Sequence, residues 1–334
     1  MSVSETSISY LKVAVLIPCL NEESTIGKVV SDFKKVLPDA QIYVYDNNSN
    51  DGTVGKAIAS GAIVQSEYSK GKGNVVRRMF ADVESDVYVL VDGDDTYDAR
   101  SVITMIEYLV EKGLDMVNGA RSSEETNAFR PGHRIGNRVL TKLVKIVFGR
   151  GINDMLSGFR VFSRRFVKSF PAMSHGFEVE TELTVHSLEM RLKIGEIETP
   201  YKGRTKGSSS KLSTIRDGLS ILRVIMTFIK EERPMRTFSV FSAFLALIST
   251  ALAVPIFIEY SETGLVPRFP TAILCTALMI LSFFSFYTGL ILDTMTTARR
   301  EMKRLYYLQH PAINGESKVH SEIVTDKQES SSIP

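Results

Sequence analysis

The chain predicts a mostly parallel α/β domain followed by two membrane-crossing helices, on three observations. Between residues 13 and 119, short apolar runs that stop at polar or acidic clusters alternate with stretches of helical spacing, the pattern of βαβ units. Residues 237–258 and 269–292 are charge-free for 22 and 24 residues, each longer than the roughly 20 needed to cross a bilayer's hydrocarbon core. Finally, Tyr88-Val89-Leu90-Val91 reads as a buried strand that ends abruptly at Asp92-Gly93-Asp94-Asp95. That delivers carboxylates to the carboxyl end of a strand, where open α/β sheets bind ligands.

In chain order, residues 13–18 form the first strand, closed by Pro18 and the polar run Asn21-Glu22-Glu23-Ser24. Ile26, Val29, Val30, Phe33, Val36 and Leu37 recur at helical spacing over 25–37. A second strand over 41–45 stops at Asp46-Asn47-Asn48-Ser49-Asn50-Asp51-Gly52-Thr53, good turn and N-cap chemistry as well as a candidate site. A helix through Ala59 and a short strand over 62–65 follow. Ser69-Lys70-Gly71-Lys72-Gly73-Asn74 then leads into a helix carrying Val75, Val76, Met79 and Phe80. After the central strand come a helix over 99–112 and a strand over 116–119. The loops after the first strands are expected to line one edge of the sheet. GxxxxGK[ST] is absent and no GxGxxG follows the first strand, which argues against an NTPase and a conventional dinucleotide enzyme.

Lys and Arg number 40 against 38 acids in 334 residues, so net charge identifies no polyanionic partner, and nucleic acid is not expected. Cys19 and Cys275 lie in unlike contexts with no zinc spacing, and the five histidines are scattered. Residues 1–10 are polar and lack the layout of a signal peptide, so the first domain is expected to stay in the cytoplasm. Lys230, Arg233 and Arg236 precede the first apolar stretch, and Arg299, Arg300, Lys303 and Arg304 follow the second. The positive-inside tendency makes the pair a hairpin with both ends cytoplasmic. Ile215, Leu219, Leu222, Ile225, Met226 and Ile229 recur at helical spacing among charges, which predicts an amphipathic helix at the membrane surface. The expected division is a polar N-terminus (1–10), a catalytic domain (11–211), a juxtamembrane helix (212–234), the hairpin (237–292), and a basic segment with a polar, disordered tail (293–334).

Ile17-Pro18-Cys19-Leu20-Asn21-Glu22-Glu23, the Asp46–Thr53 run, and Asp92-Gly93-Asp94 resemble, in order, the signatures of family 2 glycosyltransferases with the GT-A fold. Asp154-Met155-Leu156-Ser157-Gly158-Phe159-Arg160 resembles the acceptor-side segment of that family's polyprenyl-phosphate branch, which includes dolichol-phosphate mannose synthase and bacterial undecaprenyl-phosphate glucosyltransferases. The likeness runs from about residue 13 to 211 and implies a Rossmann-like, mostly parallel sheet. It departs at Ala120, where the family has serine in a Gly-Ser-Arg, and at Thr96, where relatives often carry glutamine.

By this resemblance, Pro18, Asn21, Glu22 and Asp46 hold the base and ribose of a nucleotide diphosphate sugar, with Lys72 near the pyrophosphate and Gly93 between the acids. Asp92 and Asp94 are expected to bind Mg²⁺ or Mn²⁺, hard ions suited to carboxylate oxygens, with Thr96 a third contact. Arg121, Arg134, Asn137, Arg138 and Arg160 are candidates for gripping phosphates, as are Arg204 and Lys211 in a Gly/Ser-rich basic loop that closes over either a diphosphate or a lipid phosphate. Asp94, Arg121 and Asp154 are the expected catalytic residues. Asp154 stands where an inverting enzyme places a base, yet a lipid phosphate is already ionised, so its role stays open. Glu180 and Glu182 meet sugar hydroxyls or sit on a helix face.

The expected activity is inverting transfer of a hexose, from UDP-glucose or UDP-N-acetylglucosamine, to undecaprenyl or dolichyl phosphate on the cytoplasmic face of the membrane. The lipid-phosphate sugar would feed envelope glycans, with a separate flippase, a downstream transferase and, by resemblance, a tetramer. GDP-mannose as donor, or a non-catalytic nucleotide-sugar sensor, are the alternatives. A processive synthase with QxxRW is disfavoured by the lack of any tryptophan.

Overall fold

The computed structural model describes residues 11–122, 141, 144, 152–203 and 234–313. Its elements are β1 (Val13–Cys19), α1 (Ile26–Val36), β2 (Gln41–Asp46), α2 (Thr53–Ala59), β3 (Ile63–Ser66), α3 (Lys72–Asp82), β4 (Val87–Leu90), α4 (Ser101–Glu111), β5 (Met116–Ser122), β6 (Arg160–Ser163), α5 (Arg164–Ser169), α6 (Val179–Glu189), β7 (Ile194–Pro200), α7 (Pro234–Thr263) and α8 (Phe269–Leu308). The chain divides into two compact units, Met1–Val224 with Lys303–Pro334, and Ile225–Met302.

In the first unit seven strands form one sheet in the order β3-β2-β1-β4-β6-β5-β7. β1 pairs in parallel with β2 and β4, as do β2 with β3 and β5 with β7. The strand β6 runs antiparallel to both neighbours. Alternation along the strands sorts their side chains between two cores. Val13, Val15, Ile17, Val87 and Val89 join the cluster containing α1 and α4 residues. Ala14, Leu16, Tyr88 and Leu90 join the one containing α3, α5 and α6 residues. Covering both faces is what gives β1 and β4 their continuous apolar sequences. Burying each Leu or Val of these strands contributes on the order of 1.5–3 kcal/mol.

The predicted α/β sheet, mostly parallel and followed by two long apolar helices, is the observed fold. β6 was not anticipated. Its four residues Arg-Val-Phe-Ser are too short a run to stand out, and Arg160 at its head reads as a loop residue. Its direction nonetheless positions the site. An antiparallel strand starts at the edge where its parallel neighbours end, so the segment before β6, residues 154–159, arrives beside the loops following β4 and β5.

In the second unit α7 runs through Pro255 without a break. Contacts between α7 and α8 are made by small polar side chains: Ser242 Oγ lies 3.0 Å from Ser282 Oγ, Ser249 donates to the Cys275 carbonyl at 2.8 Å, and Ser285 donates to the Phe238 carbonyl at 3.3 Å. Such contacts are usual between helices in lipid. The most apolar windows of α7 and α8 are only 6% and 11% buried, unlike the core helices of a soluble domain. Both helices could therefore span a membrane. The first part of the expected basic segment, from residue 293, is helical and continues α8 to Leu308. Its last residues belong to the first unit, where Lys303 meets Glu189 at 2.8 Å and the Tyr307 hydroxyl donates to Asp115 at 3.0 Å.

Candidate active site

The loops following β1, β2 and β4 interlock. Asn47 N–H donates to the Cys19 carbonyl, and the Asn21 and Glu22 amides donate to Ser49 and Thr53 hydroxyls, each at 2.8 Å. Asn21 Oδ1 accepts the Asn50 amide, and the Thr25 hydroxyl reaches the Gly93 carbonyl at 2.7 Å. Gly93 is needed because a Cβ there would run into Cys19 Sγ. Asn21 and Glu22 thus act in the structure as loop fasteners, beside Pro18 at the end of β1.

Asp46 closes β2. One of its oxygens accepts the Ser49 amide at 3.1 Å, while Oδ1 is buried with no hydrogen-bond partner among the described residues. A buried acceptor left open carries a cost of about 1–3 kcal/mol, which a ligand N–H would remove.

The Gly-Lys-Gly segment has a different physical basis from a flexible basic turn. Gly71 adopts φ +123°, and a Cβ on Gly71 or Gly73 would strike the backbone carbonyls of His175 and Ser174. Glycine is therefore required by the close approach of residues 174–175, which Glu182 fixes by accepting the Met173 and Ser174 amides at 2.8 Å. The Lys72 ammonium lies 2.5 Å from Asp92 Oδ1 and 2.7 Å from Glu180 Oε1. Burial alone would push the lysine down, but the two carboxylates outweigh it and hold Lys72 above its ordinary value. Burial raises Glu180. Of the two glutamates expected either at sugar hydroxyls or on a helix face, Glu180 meets Lys72 and Glu182 braces the chain at 173–174. Nothing in the sequence marks a separate role for Asn47, whose side chain braces the loops through the Gly71 amide and the Glu67 and Ser69 carbonyls.

Asp94 is buried, and its Oδ1 accepts the Thr96 hydroxyl at 2.6 Å. Thr96, expected as a metal contact, directs its hydroxyl proton to Asp94. Gly158 packs directly on Asp92, so that a Cβ at 158 would overlap the carboxylate. The donor set fits a hard divalent ion. Mg²⁺ ordinarily takes one or two carboxylates and completes its shell with substrate phosphates and water. No group of three or more His, Cys, Asp or Glu side chains suited to a metal occurs among the described residues, so Asp92 and Asp94 would need such exogenous oxygens. A cationic group, the Lys72 ammonium, already rests on Asp92.

Beyond β5, Arg121 Nε lies 2.7 Å from Asp154 Oδ2 and Nη2 lies 2.8 Å from Oδ1, with the Arg121 amide 3.1 Å from Oδ2. The fork is bidentate. Asp154 is itself held in place: Glu196 on β7 accepts the Asn153 and Asp154 amides, and Asn118 donates to the Asp154 carbonyl at 2.9 Å. The Arg121 guanidinium also sits 5.5 Å from the centre of the Tyr201 ring, which packs edge-on against Tyr97. The Gly158 amide donates to the Tyr97 hydroxyl at 2.8 Å. Tyr97 and Tyr201 carry no motif that would mark them in the sequence.

Arg160 corrects an expectation. Read as an acceptor-binding residue, it is wholly buried and spends its donors on the Ser157 and Met155 carbonyls and the Thr184 hydroxyl, at 3.1, 2.7 and 2.9 Å. These partners are all neutral oxygens, and burial lowers its pKa. It braces the loop carrying Asp154 and Gly158. Arg134, Asn137, Arg138, Arg204 and Lys211 lie outside the described residues, as does the amphipathic helix expected over 212–234 except for its last residue, Pro234, which begins α7.

Comparison with known proteins places these features. Residues 14–170 match the family described as Glycosyl transferase family 2. Glycosyltransferase AglJ of Haloferax volcanii is 30% identical over 89% of this chain and 98% of its own length. A dolichyl-phosphate hexose transferase of the same organism is 25% identical over 68% of this chain and 98% of its own. Among solved structures, glucosyl-3-phosphoglycerate synthase of Mycobacterium tuberculosis, crystallised with Mn²⁺, UDP-glucose and phosphoglyceric acid, superimposes with a TM-score of 0.55 at 23% identity, covering 69% of this chain and 82% of that one. On the AglJ similarity, which extends over nearly all of that relative, with the family match and the shared GT-A fold beside it, the chain belongs to glycosyl transferase family 2.

Proposed function

We propose that this glycosyltransferase moves a hexose from a nucleotide diphosphate sugar to a polyprenyl phosphate, with inversion, from the cytoplasmic face of a membrane. The observation that carries the reading is the Arg121–Asp154 fork. Both oxygens of the acid standing where a base is expected are committed to a guanidinium, at 2.7 and 2.8 Å. An acceptor hydroxyl needs a base; a phosphate monoester is ionised at neutral pH and needs orientation and charge complementarity instead. Arg121, held by Asp154 and Tyr201, is the group that would receive such a phosphate. The name of the dolichyl-phosphate hexose transferase relative and the two apolar helices support a lipid acceptor.

On the donor side, the open Asp46 Oδ1 would accept an N–H of the base, as the uracil ring offers. UDP-glucose or UDP-N-acetylglucosamine is the preferred donor, in line with a fold neighbour crystallised with UDP-glucose. Asp92 and Asp94 would hold Mg²⁺ or Mn²⁺ against the diphosphate; when bound, the ion neutralises charge gathering on the departing nucleotide. Lys72 adds a positive charge beside the same oxygens. The phosphate attacks the anomeric carbon opposite the leaving diphosphate, so Arg121 and Lys72 hold the nucleophile and the leaving group on the two sides of the reacting carbon.

The test incubates purified protein and Mg²⁺ or Mn²⁺ with undecaprenyl phosphate and a panel of UDP- and GDP-sugars, with product detected by mass spectrometry. A lipid-phosphate hexose from one donor is expected, with a loss of about 10³-fold in Asp94→Ala, the scale of removing one electrostatic stabiliser. A protein that binds nucleotide yet forms no lipid product from any donor would refute the acceptor.

A further inference from the structure

Lys72 stands between two acids of unequal access. Asp92, beyond β4, has 27% of its side chain exposed, whereas Glu180, in the first turn of α6, has 7% and Lys72 itself 8%. An ion arriving from solution can reach Asp92 but not Glu180. Glu180 is also fixed, because the preceding residues 173–175 are tied to Glu182 and wedged against Gly71 and Gly73. The root of Lys72 is the first residue of α3, between those glycines. A buried ammonium stripped of both carboxylates would be an uncompensated buried charge, but one that releases Asp92 alone stays paired with Glu180.

We propose that Glu180 is a tether that makes Lys72 a built-in counter-ion. Lys72 closes Asp92 while no divalent ion is present, and stays held by Glu180 when the ion takes Asp92, its ammonium then turned to the donor's diphosphate oxygens. The inference rests on the metal-and-nucleotide reading above. Lysine and ion compete for one carboxylate, so the ion binds weakly until a diphosphate offers Lys72 another anion. Metal and nucleotide therefore reinforce each other's binding by equal factors.

Titration of the full-length protein in detergent with Mn²⁺, followed by electron paramagnetic resonance without nucleotide and with saturating UDP or GDP, tests this. In the wild type the effective nucleotide should tighten Mn²⁺ by about 10-fold, within the usual range for coupled sites. Lys72→Met should tighten Mn²⁺ without nucleotide several-fold and shrink the nucleotide's effect by that same factor, leaving the part that comes from diphosphate oxygens entering the ion's shell. Glu180→Gln preserves size and an acceptor oxygen but leaves Lys72 only Asp92, so Mn²⁺ without nucleotide should weaken about threefold or more, toward the lower end of such couplings. Opposite signs are the signature, with thermal melting verifying that both variants fold. Unchanged or weaker Mn²⁺ binding in a folded Lys72→Met overturns the proposal, as does unchanged or tighter binding in Glu180→Gln; if Lys72→Met does not fold, Glu180→Gln decides alone. Asp92→Asn separates the two levels. Mn²⁺ binding that survives Asp92→Asn would remove the metal site and the proposal together, whereas binding lost there but indifferent to Lys72 removes the proposal alone.

Discussion

At the β1–β4 end of the site edge, acids are left with capacity: Asp46 Oδ1 is buried without a partner among the described residues, and Asp92 is partly open to solvent. At the β5–β7 end, Asp154 has both oxygens closed on Arg121, and Glu196 fastens the loop that carries it. The same residue type thus does opposite work within one site. On the first side carboxylates are presented to an incoming N–H or cation; on the second a carboxylate is used up in presenting a guanidinium. On the proposed function, the difference separates a surface for a nucleotide and its counter-ion from one for an anion.

After the loss expected for Asp94→Ala, the largest effect breaks the second side. Arg121→Lys removes the planar fork, and Asp154→Asn removes its anchor; each should lower kcat/KM for the lipid acceptor by about 10²-fold. Because the two residues act as one unit, the double variant should be little worse than either single one. The pH profile distinguishes orientation from proton transfer. If Asp154 positions Arg121, Asp154→Asn raises the acceptor KM and keeps the shape of the profile; loss of an acidic limb would instead make Asp154 a base.

Breaking the base contact on the first side should cost less. Asp46→Asn keeps the size of the side chain but places an amide where an acceptor stands. Nucleotide affinity should fall by roughly 10–100-fold, the cost of one mismatched buried hydrogen bond, with acceptor KM unchanged. Calorimetry with UDP and GDP measures it directly. Gly158→Ala joins the sides, since its Cβ would displace the Asp92 carboxylate. A loss of about 1–3 kcal/mol in stability, or an equivalent weakening of Mn²⁺ binding, is expected from such overpacking.

The first side was also the more legible in the sequence. β1, β2 and β4 are buried on both faces, so each reads as an apolar run, and the acids that interrupt them mark the candidate site. On the second side, β6 is four residues long and β7 is interrupted by Glu196 and Glu198, so neither announces a strand. Arg160 shows the physical limit: a residue type that is nearly always exposed is here a core brace, because three oxygens happen to surround it. Nor does spacing reveal that Lys72 and Glu180, 108 positions apart, meet. Local pattern shows which residues face a sheet edge; which of them pair across it depends on the antiparallel return of β6 and the packing of α6.

The smallest effect sharpens the comparison by separating the site from the core beneath it. His186 lies on α6 two turns beyond Glu180, its ring edge-on to Phe166 and Phe170, with both nitrogens buried and unpartnered among the described residues. Burial, with a smaller push from the Lys303 ammonium and an opposing pull from Glu189, brings its pKa down from 6.5 to about 3. The unfolded chain therefore binds a proton that the native state refuses. The stability tied to neutral His186 is complete above about 6.5 and is lost as pH falls from there toward about 3. His186→Leu removes the titrating group and two unsatisfied buried nitrogens, so it should flatten the acid branch of melting temperature against pH and raise stability slightly at pH 7. The donor and acceptor residues are untouched, so kcat/KM against pH should keep its shape wherever the wild type remains folded. Coincident shifts in both curves would mean that the acid limb of activity reports unfolding of α6 rather than titration at either side of the site.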